Sequence, residues 1–506
     1  MNQPEPRRSE SESSRLVVVS NRLPFAFTRN ADRHWTIKPG SGGLVTALLP
    51  VLRDRGGLWI GWTGAAGELP GLDAALDEAA PNTGYALKPV SLTPEEVERF
   101  YYGFSNEIMW PLFHDLQSHC NFDPDYWRTY QRVNRKYAQV IADHTRRNDF
   151  IWVHDYHLTH VGAELRHLGV RSKTGFFLHI PFPSLDIFLK LPWRFELLDA
   201  MLAYDLIGLQ TLRDRRNFVQ CLRALVKDVT VQGKGQVLTV KLGDREVRVG
   251  SFPISIDYQA FAEQAGAPEV GRRADELRTA LNQRQLILGV DRLDYTKGIP
   301  HRLRAFRSAL HRHPELREHV TLIQVVVPSR EDIREYHDLK EEIERLVGEI
   351  NGEFTRPGGW VPIHYVFRSL DKTELLAYYR AAQIALITPL KDGMNLVAKE
   401  YCACSIEEDC VLILSEFAGA AVQLQRDALL VNPYDIEQTA DTLYHAYGMA
   451  VDERRARMRR LRKSVHDHDI FWWVDSFLRA AISKDLSAFP LPDDYVPRYR
   501  VDTLSV

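Results

Sequence analysis

Ile384-Ala-Leu-Ile-Thr-Pro-Leu-Lys-Asp-Gly-Met-Asn-Leu-Val-Ala-Lys-Glu400 joins a short apolar run to a helical stretch through a glycine-bearing turn. A continuous run of this kind predicts a strand buried on both faces of a parallel sheet. The strand is expected over Ile384–Thr388, the turn at Gly393 and the helix from about Met394. The first amides of such a helix point at an anion. Asp392, just before the glycine, is placed to meet sugar hydroxyls, and Glu400 to accept two vicinal ribose hydroxyls. As chemistry this describes a nucleotide-sugar site, although a plain helix start with a solvated glutamate fits the stretch nearly as well.

The same grammar repeats outward from this unit. Apolar runs at Leu16–Ser20, Phe150–His154, Thr174–Ile180, Leu206–Leu209, Leu286–Val290, Leu322–Val327, Val411–Leu414 and Leu429–Val431 read as further buried strands. Helical stretches at Tyr126–His144, Ile299–His311, Glu331–Ile350 and Ile436–Tyr447 lie between them. That alternation predicts an α/β protein with doubly wound, Rossmann-like sheets. One interruption divides it: Gln236–Val249 alternates about Gly243-Asp244 as a hairpin does. The rhythm restarts after Ser251-Phe-Pro-Ile-Ser-Ile256. Two domains are therefore expected, 15–253 and 254–470, facing each other across a cleft, after a disordered polar tail at 1–14. A C-terminal helix and tail, 471–506, carries Phe471, Trp472, Trp473 and Phe477, and packing back on the N-terminal domain would bury them.

Composition narrows the function. Sixty-four basic and 67 acidic residues leave a net charge of −3, so no global field recruits nucleic acid or an anionic membrane. Any anionic ligand must be held by local cations. The five cysteines are too scattered for a disulfide framework, and Cys402-Ala-Cys404 reads as two small buried thiols. The N-terminus lacks the apolar core of a signal peptide, and no run approaches the roughly 20 apolar residues of a membrane span. A reducing cytoplasm is the expected compartment.

Ligands bind open α/β sheets outside the carboxyl ends of the strands, so the residues there are the candidates. Arg22 follows the first strand, and a loop, Leu23–Ser41, then carries the chain through Lys38-Pro-Gly-Ser-Gly-Gly43 into the next helix without the spacing of a dinucleotide fingerprint. His154-Asp155-Tyr156-His157 and His179-Ile-Pro-Phe-Pro183 end two more strands. No HExxH pattern accompanies those histidines, so no metal is expected; His154 reads as a core residue, and Asp155 and His179 as partners of sugar hydroxyls. In the second half, Arg292 and Lys297 sit five residues apart on a loop and can converge on a diphosphate, and Arg330 stands at another strand exit.

Together these motifs resemble the trehalose-6-phosphate synthase family, retaining glycosyltransferases of the two-domain GT-B fold. The resemblance runs from about Leu16 to Lys484. It rests on Val17–Arg22, Gly42-Gly43, Tyr101–Pro111, Val153–Leu158, His179–Pro183, Arg292–Gly298 and Asp392–Glu400.

The resemblance implies a glucosyl transfer from UDP-glucose to glucose 6-phosphate. Arg292 and Lys297 would neutralise the donor diphosphate and Glu400 would hold the ribose. Asp392, Gly393 and the amides of Met394, Asn395, Leu396 and Val397 would bind donor glucose and phosphates, with Gly42 and Gly43 contributing from the facing domain. His179 would bind the transferred glucose, and Asp155 and Tyr156 glucose or acceptor hydroxyls. Arg22, Tyr102, Trp110 and Arg330 would surround the acceptor. Arg292, Lys297, His179 and Asp155 form the implied catalytic set. Neither metal nor cofactor would be needed, because UDP-glucose enters as a substrate. A homo-oligomer is implied, with a separate phosphatase acting on the product.

Two departures bear on specificity. Lys391 stands where such sequences commonly carry arginine, and Pro183–Arg194 looks partly like glucosylglycerol-phosphate synthases. A synthase with another phosphorylated acceptor is thus the alternative, and a non-catalytic sugar-phosphate sensor a further one. The sensor would be expected to lack Arg292, Lys297, Asp392 or Glu400, and all four are present.

Overall fold

The computed structural model describes residues 15–29, 35–39, 56–67, 84–330, 333–356 and 359–483, with residues 45, 48, 49, 52, 71, 72, 76, 486, 489, 493–495 and 497. Gly42, Gly43 and the tail at 1–14 lie outside the described residues.

Among the described residues seventeen strands follow in chain order: β1 Leu16–Arg22, β2 Phe25–Arg29, β3 Trp35–Pro39, β4 Leu58–Ala66, β5 Ala86–Leu92, β6 Phe150–His154, β7 Lys173–Phe177, β8 Leu206–Leu209, β9 Val229–Gln232, β10 Val237–Leu242, β11 Arg245–Ser251, β12 Gln285–Arg292, β13 Val320–Val327, β14 Ile363–Phe367, β15 Ile384–Ile387, β16 Val411–Ser415 and β17 Leu429–Val431. The first sheet runs β5-β4-β1-β6-β7-β8-β11-β10-β9 and the second β14-β13-β12-β15-β16-β17. Every pairing in the second sheet is parallel. In the first, the antiparallel pairings are those that β10 makes with β9 and β11. The hairpin β10–β11 turns at Gly243-Asp244, between the paired Leu242 and Arg245.

Both sheets share one winding. Counted from its own first strand, each contains the spatial order 3-2-1-4-5-6. The order reverses between β1 and β6 in one sheet and between β12 and β15 in the other. A crevice opens at such a reversal, because neighbouring connections leave to opposite faces. Arg22, Asp155, Arg292 and the Thr388–Glu400 segment lie at the ends of those four strands, so the topology alone collects them at two facing crevices.

Two expectations on the N-terminal side change. The run Thr174–Ile180 ends as a strand at Phe177, and residues 178–183 leave the sheet toward the cleft. The segment Leu23–Ser41, read as a loop, contains the antiparallel pair β2–β3. A wide helix at Val97–Met109, closed by a bond from the Trp110 amide to the Ser105 carbonyl five residues back, carries the Tyr101–Trp110 motif. Such winding is rare and frequent at functional sites.

The aromatic C-terminal helix, Ile470–Ile482, crosses back to the first sheet. Phe477 stacks on Trp152 of β6 at 4.3 Å between ring centroids. It fills the space over Gly175 and Gly208, where a β-carbon would stand 2.8 and 2.6 Å from its ring. Trp473 donates its indole N–H to the Phe252 carbonyl at 3.1 Å. Cys402, Cys404 and Cys410 are buried free thiols, and burial raises the pKa of each.

Candidate active site

One wall of the cleft comes from the second sheet. β12 ends at Arg292, and a short turn, Tyr295–Lys297, leads to Gly298. Gly298 has a φ of 65°, and a β-carbon there would stand 2.3 Å from the Thr388 carbonyl at the end of β15. Only glycine allows that approach, which brings the two strand ends together. Lys297 then reaches Asp392, Nζ to Oδ2 2.6 Å. Burial would raise the Asp392 pKa, but the Lys297 ammonium overrides it and holds the carboxyl below its usual range. Arg292 is half exposed, and its guanidinium hangs in the cleft 6.0 Å from the Trp110 ring of the facing domain.

The helix after β15 spans Leu396–Cys404, two residues later than the sequence suggests. Asn395 caps it in a left-handed conformation (φ 76°), with its side-chain oxygen accepting from the Ala398 amide at 3.1 Å. The Met394 amide faces the Asp392 carboxylate at 3.4 Å, and the Met394 side chain is buried in the core. That leaves Leu396 and Val397 as the first-turn amides at the end that favours an anion. Glu400 lies one turn in, and its Oε2 accepts from the Tyr379 hydroxyl at 2.8 Å. Burial raises its pKa.

The opposite wall is cationic and aromatic. Arg330 crosses from the second domain with its guanidinium 4.7 Å from the Trp110 ring, donating to the hydroxyls of Tyr336 at 2.7 Å and Tyr156 at 3.5 Å. Arg22 lies 4.9 Å from the Trp62 ring and 5.2 Å from that of Tyr101. Burial pushes the Tyr101 phenol up, yet the Arg330 and Arg22 guanidiniums carry it below its ordinary value. Two guanidiniums held beside aromatic rings place two planar cations in this wall, a donor type that suits a phosphate. The tyrosine that meets both arginines is thus Tyr101. Tyr102 stands edge-on to it at 5.2 Å and lines a cavity of about 470 Å³ with Asn106, His119, Tyr295 and Tyr336.

Between the walls stand Asp155 and His179. Asp155 has a positive φ of 76°, and its carboxylate accepts from the His179 amide at 3.2 Å. Burial raises its pKa to about 6. His154 Nδ1 and His179 Nε2 are 3.1 Å apart, and burial keeps both rings neutral, His179 at about 3. His114, which the sequence reading passed over, lies near Asp294, Lys297 and Asp392, and burial lowers it to about 4. Its spacing four residues after Trp110 puts both on one helical face, and its Nδ1 lies 2.7 Å from the Trp110 carbonyl.

The glycosyltransferase family 20 model matches residues 14–483. The chain belongs to glycosyltransferase family 20. Among its relatives, the trehalose-6-phosphate synthase of Mycobacterium avium is 44% identical over 473 residues, 92% of this chain and 95% of that one. A UDP-forming alpha,alpha-trehalose-phosphate synthase from Burkholderia xenovorans, solved in complex with glucose-6-phosphate, superposes with a TM-score of 0.83 at 35% identity, covering 93% of this chain and 100% of that one. An E. coli structure bound with UDP-2-fluoro glucose gives a TM-score of 0.82 at 35% identity, covering 92% and 99%. The two facing Rossmann-like domains are those of a GT-B enzyme.

The family's cleft here offers cations on side chains. Among the described residues no group of three or more His, Cys, Asp or Glu side chains could hold a metal, and no helix is long and apolar enough to cross a membrane.

Proposed function

We propose that the protein transfers glucose from UDP-glucose to the anomeric hydroxyl of glucose 6-phosphate, with retention, giving α,α-trehalose 6-phosphate and UDP. The observation that carries this is the pairing, across one cleft, of two different anion sites. The Lys297–Asp392 pair and a helix N-terminus form one; Arg22 and Arg330 on their aromatic rings form the other.

In this reading Arg292, Lys297 and the Leu396 and Val397 amides hold the diphosphate, Glu400 the ribose, and Asp392 and His179 the transferred glucose. The same reading assigns Gly42 and Gly43, which lie outside the described residues, to donor binding. Arg22, Tyr101, Trp110 and Arg330 hold the acceptor, with Asp155 and Tyr156 beside its hydroxyls. The acceptor oxygen bonds to the anomeric carbon as the bond to the diphosphate breaks. The acceptor proton passes to the departing diphosphate oxygen on the same face. Lys297 and Arg292 offset the charge that develops there, which is worth most in a site already aligned and poor in water. The neutral His179 positions hydroxyls without competing for that proton.

The test is UDP release in the presence of EDTA from a matrix of UDP-, GDP- and ADP-glucose against phosphorylated acceptors. Release from UDP-glucose with glucose 6-phosphate supports the reading and its metal independence. Release only with glycerol 3-phosphate would move the chain to the alternative acceptor. The five free cysteines fit a reducing cytoplasm. We also propose a homo-oligomer, testable by light scattering, whose phosphorylated product passes to a separate phosphatase.

A further inference from the structure

Gln210 follows β8 and is buried, with 1% of its surface exposed. Both ends of its amide are used. Its Nε2 donates to the main-chain carbonyl of His179 at 3.3 Å, and its Oε1 accepts from the Ile254 amide at 3.0 Å. The reverse orientation would set oxygen against oxygen and N–H against N–H, so the two contacts fix each other. Ile254 belongs to the crossover from β11 to the helix Tyr258–Ala265, the first segment of the second domain. The carbonyl of that same Ile254 accepts from Lys399 Nζ at 2.7 Å. Lys399 is fully buried on the donor helix, one residue before Glu400.

These contacts close a circuit. From the donor helix it runs through Lys399 to the crossover, through Gln210 to the His179 carbonyl, and from there to Gly393, whose missing β-carbon would stand 2.2 Å from that carbonyl oxygen. Gly393 leads through the Asn395 cap back into the donor helix. His179 therefore touches the donor wall by two routes, one direct and one through the crossover.

We propose that Gln210 is a positioning residue, which ties His179 to the interdomain crossover, and that Lys399 anchors the other end of the same tie. A purely structural role is poorly served by this pair. A buried ammonium held by one carbonyl costs more than a methionine of similar shape, and its burial lowers the Lys399 pKa to about 7. The tie instead makes the orientation of His179 depend on where the second domain sits, so that the transferred glucose is held in its reactive pose only when the cleft is closed.

The kinetic arm rests on the proposed reaction. Gln210→Met is expected to lower kcat at least about tenfold while each KM stays within about threefold, because it misplaces a group near the reacting centre without removing a binding contact. Gln210→Glu keeps the acceptor for Ile254 but sets a carboxylate against the His179 carbonyl, and should lose the same kcat with the crossover intact. The double variant Gln210→Met/Lys399→Met should be no slower than the slower single variant, as members of one unit behave. Multiplying effects, an unchanged kcat, or a loss confined to KM would each overturn the tie. A parent enzyme without turnover would sink the proposed reaction instead. The tie would then be judged by hydrogen exchange at the Ile254 amide, where protection must fall in Gln210→Met and in Lys399→Met; unchanged protection overturns it.

Discussion

Gly393 rests against the carbonyl of His179, across the cleft, so closely that a β-carbon at residue 393 would stand 2.2 Å from that oxygen. On its other side the Gly393 carbonyl fills the space beside Gly419, where a β-carbon would stand 2.0 Å away. No side chain can rotate out of such a contact, since both partners are backbone. Gly393→Ala must therefore push the donor loop away from His179. A displacement of about 1 Å can cost about 100-fold in rate, and we expect at least that loss in kcat/KM for UDP-glucose, with the circular dichroism spectrum unchanged. An alanine variant within threefold of the parent would mean that the cleft reacts in a more open form.

Lys297 and Asp392 form a half-enclosed pair whose two side chains are 13% and 14% exposed. Removing the cation leaves a buried carboxylate without its partner, and it also removes the charge that meets the leaving diphosphate. Lys297→Ala is expected to lower kcat by about 100-fold or more with a smaller change in KM for UDP-glucose. Steady-state kinetics of UDP release would check it, and an unchanged kcat would rule out the transition-state role.

The strands that frame the site were legible in sequence because they are buried on both faces. β6, β8, β15 and β16 are apolar at every position or nearly so, as strands in the interior of a parallel sheet are. Edge strands gave a weaker signal. β5 and β14 stand at the rims of their sheets with mixed burial, and β5 carries Pro89, which an edge tolerates. In β4 the run is broken by Gly61 and Gly64. Which of Tyr101 and Tyr102 meets the arginines depends on the winding of the Val97–Met109 helix, and neighbouring letters do not encode that. Gln210 carried no signal either, since a buried amide is recognised only by the two backbone segments it joins.

Arg330 lies over Trp110 and Tyr336, donates to the Tyr336 and Tyr156 hydroxyls and has Tyr101 beside it. Its backbone is left-handed, with a φ of 51°. Arg330→Ala should raise the KM for glucose 6-phosphate at least about tenfold, with a smaller effect on kcat, in line with a charge-assisted pair worth about 1.5–3 kcal/mol. Arg330→Lys should recover little of it, because an ammonium neither lies flat on the indole nor presents a planar fork. Full recovery by lysine would reduce the role to simple charge.

Asp155 offers a test that separates strain from binding. Burial raises its pKa from 3.8 to about 6 against the pull of the Tyr156 and His179 amides and the Arg330 and Arg292 charges. Below about pH 4 the carboxyl is neutral in both folded and unfolded chains and its burial carries no charge penalty. Between about pH 4 and 6 the unfolded chain loses the proton first, so stability falls as pH rises, by about 1.4 kcal/mol for each unit of the gap. Above about pH 6 the cost is complete. An asparagine in its place would carry no charge, and asparagine also tolerates the positive φ at this position. Asp155→Asn is therefore expected to melt above the parent at pH 7, with the difference closing toward pH 4, while losing most of its transfer activity. Melting curves across that range decide the matter: a variant less stable than the parent at pH 7 would mean that the ionised carboxylate is a stabilising partner of the neighbouring arginines rather than a cost borne by the active site.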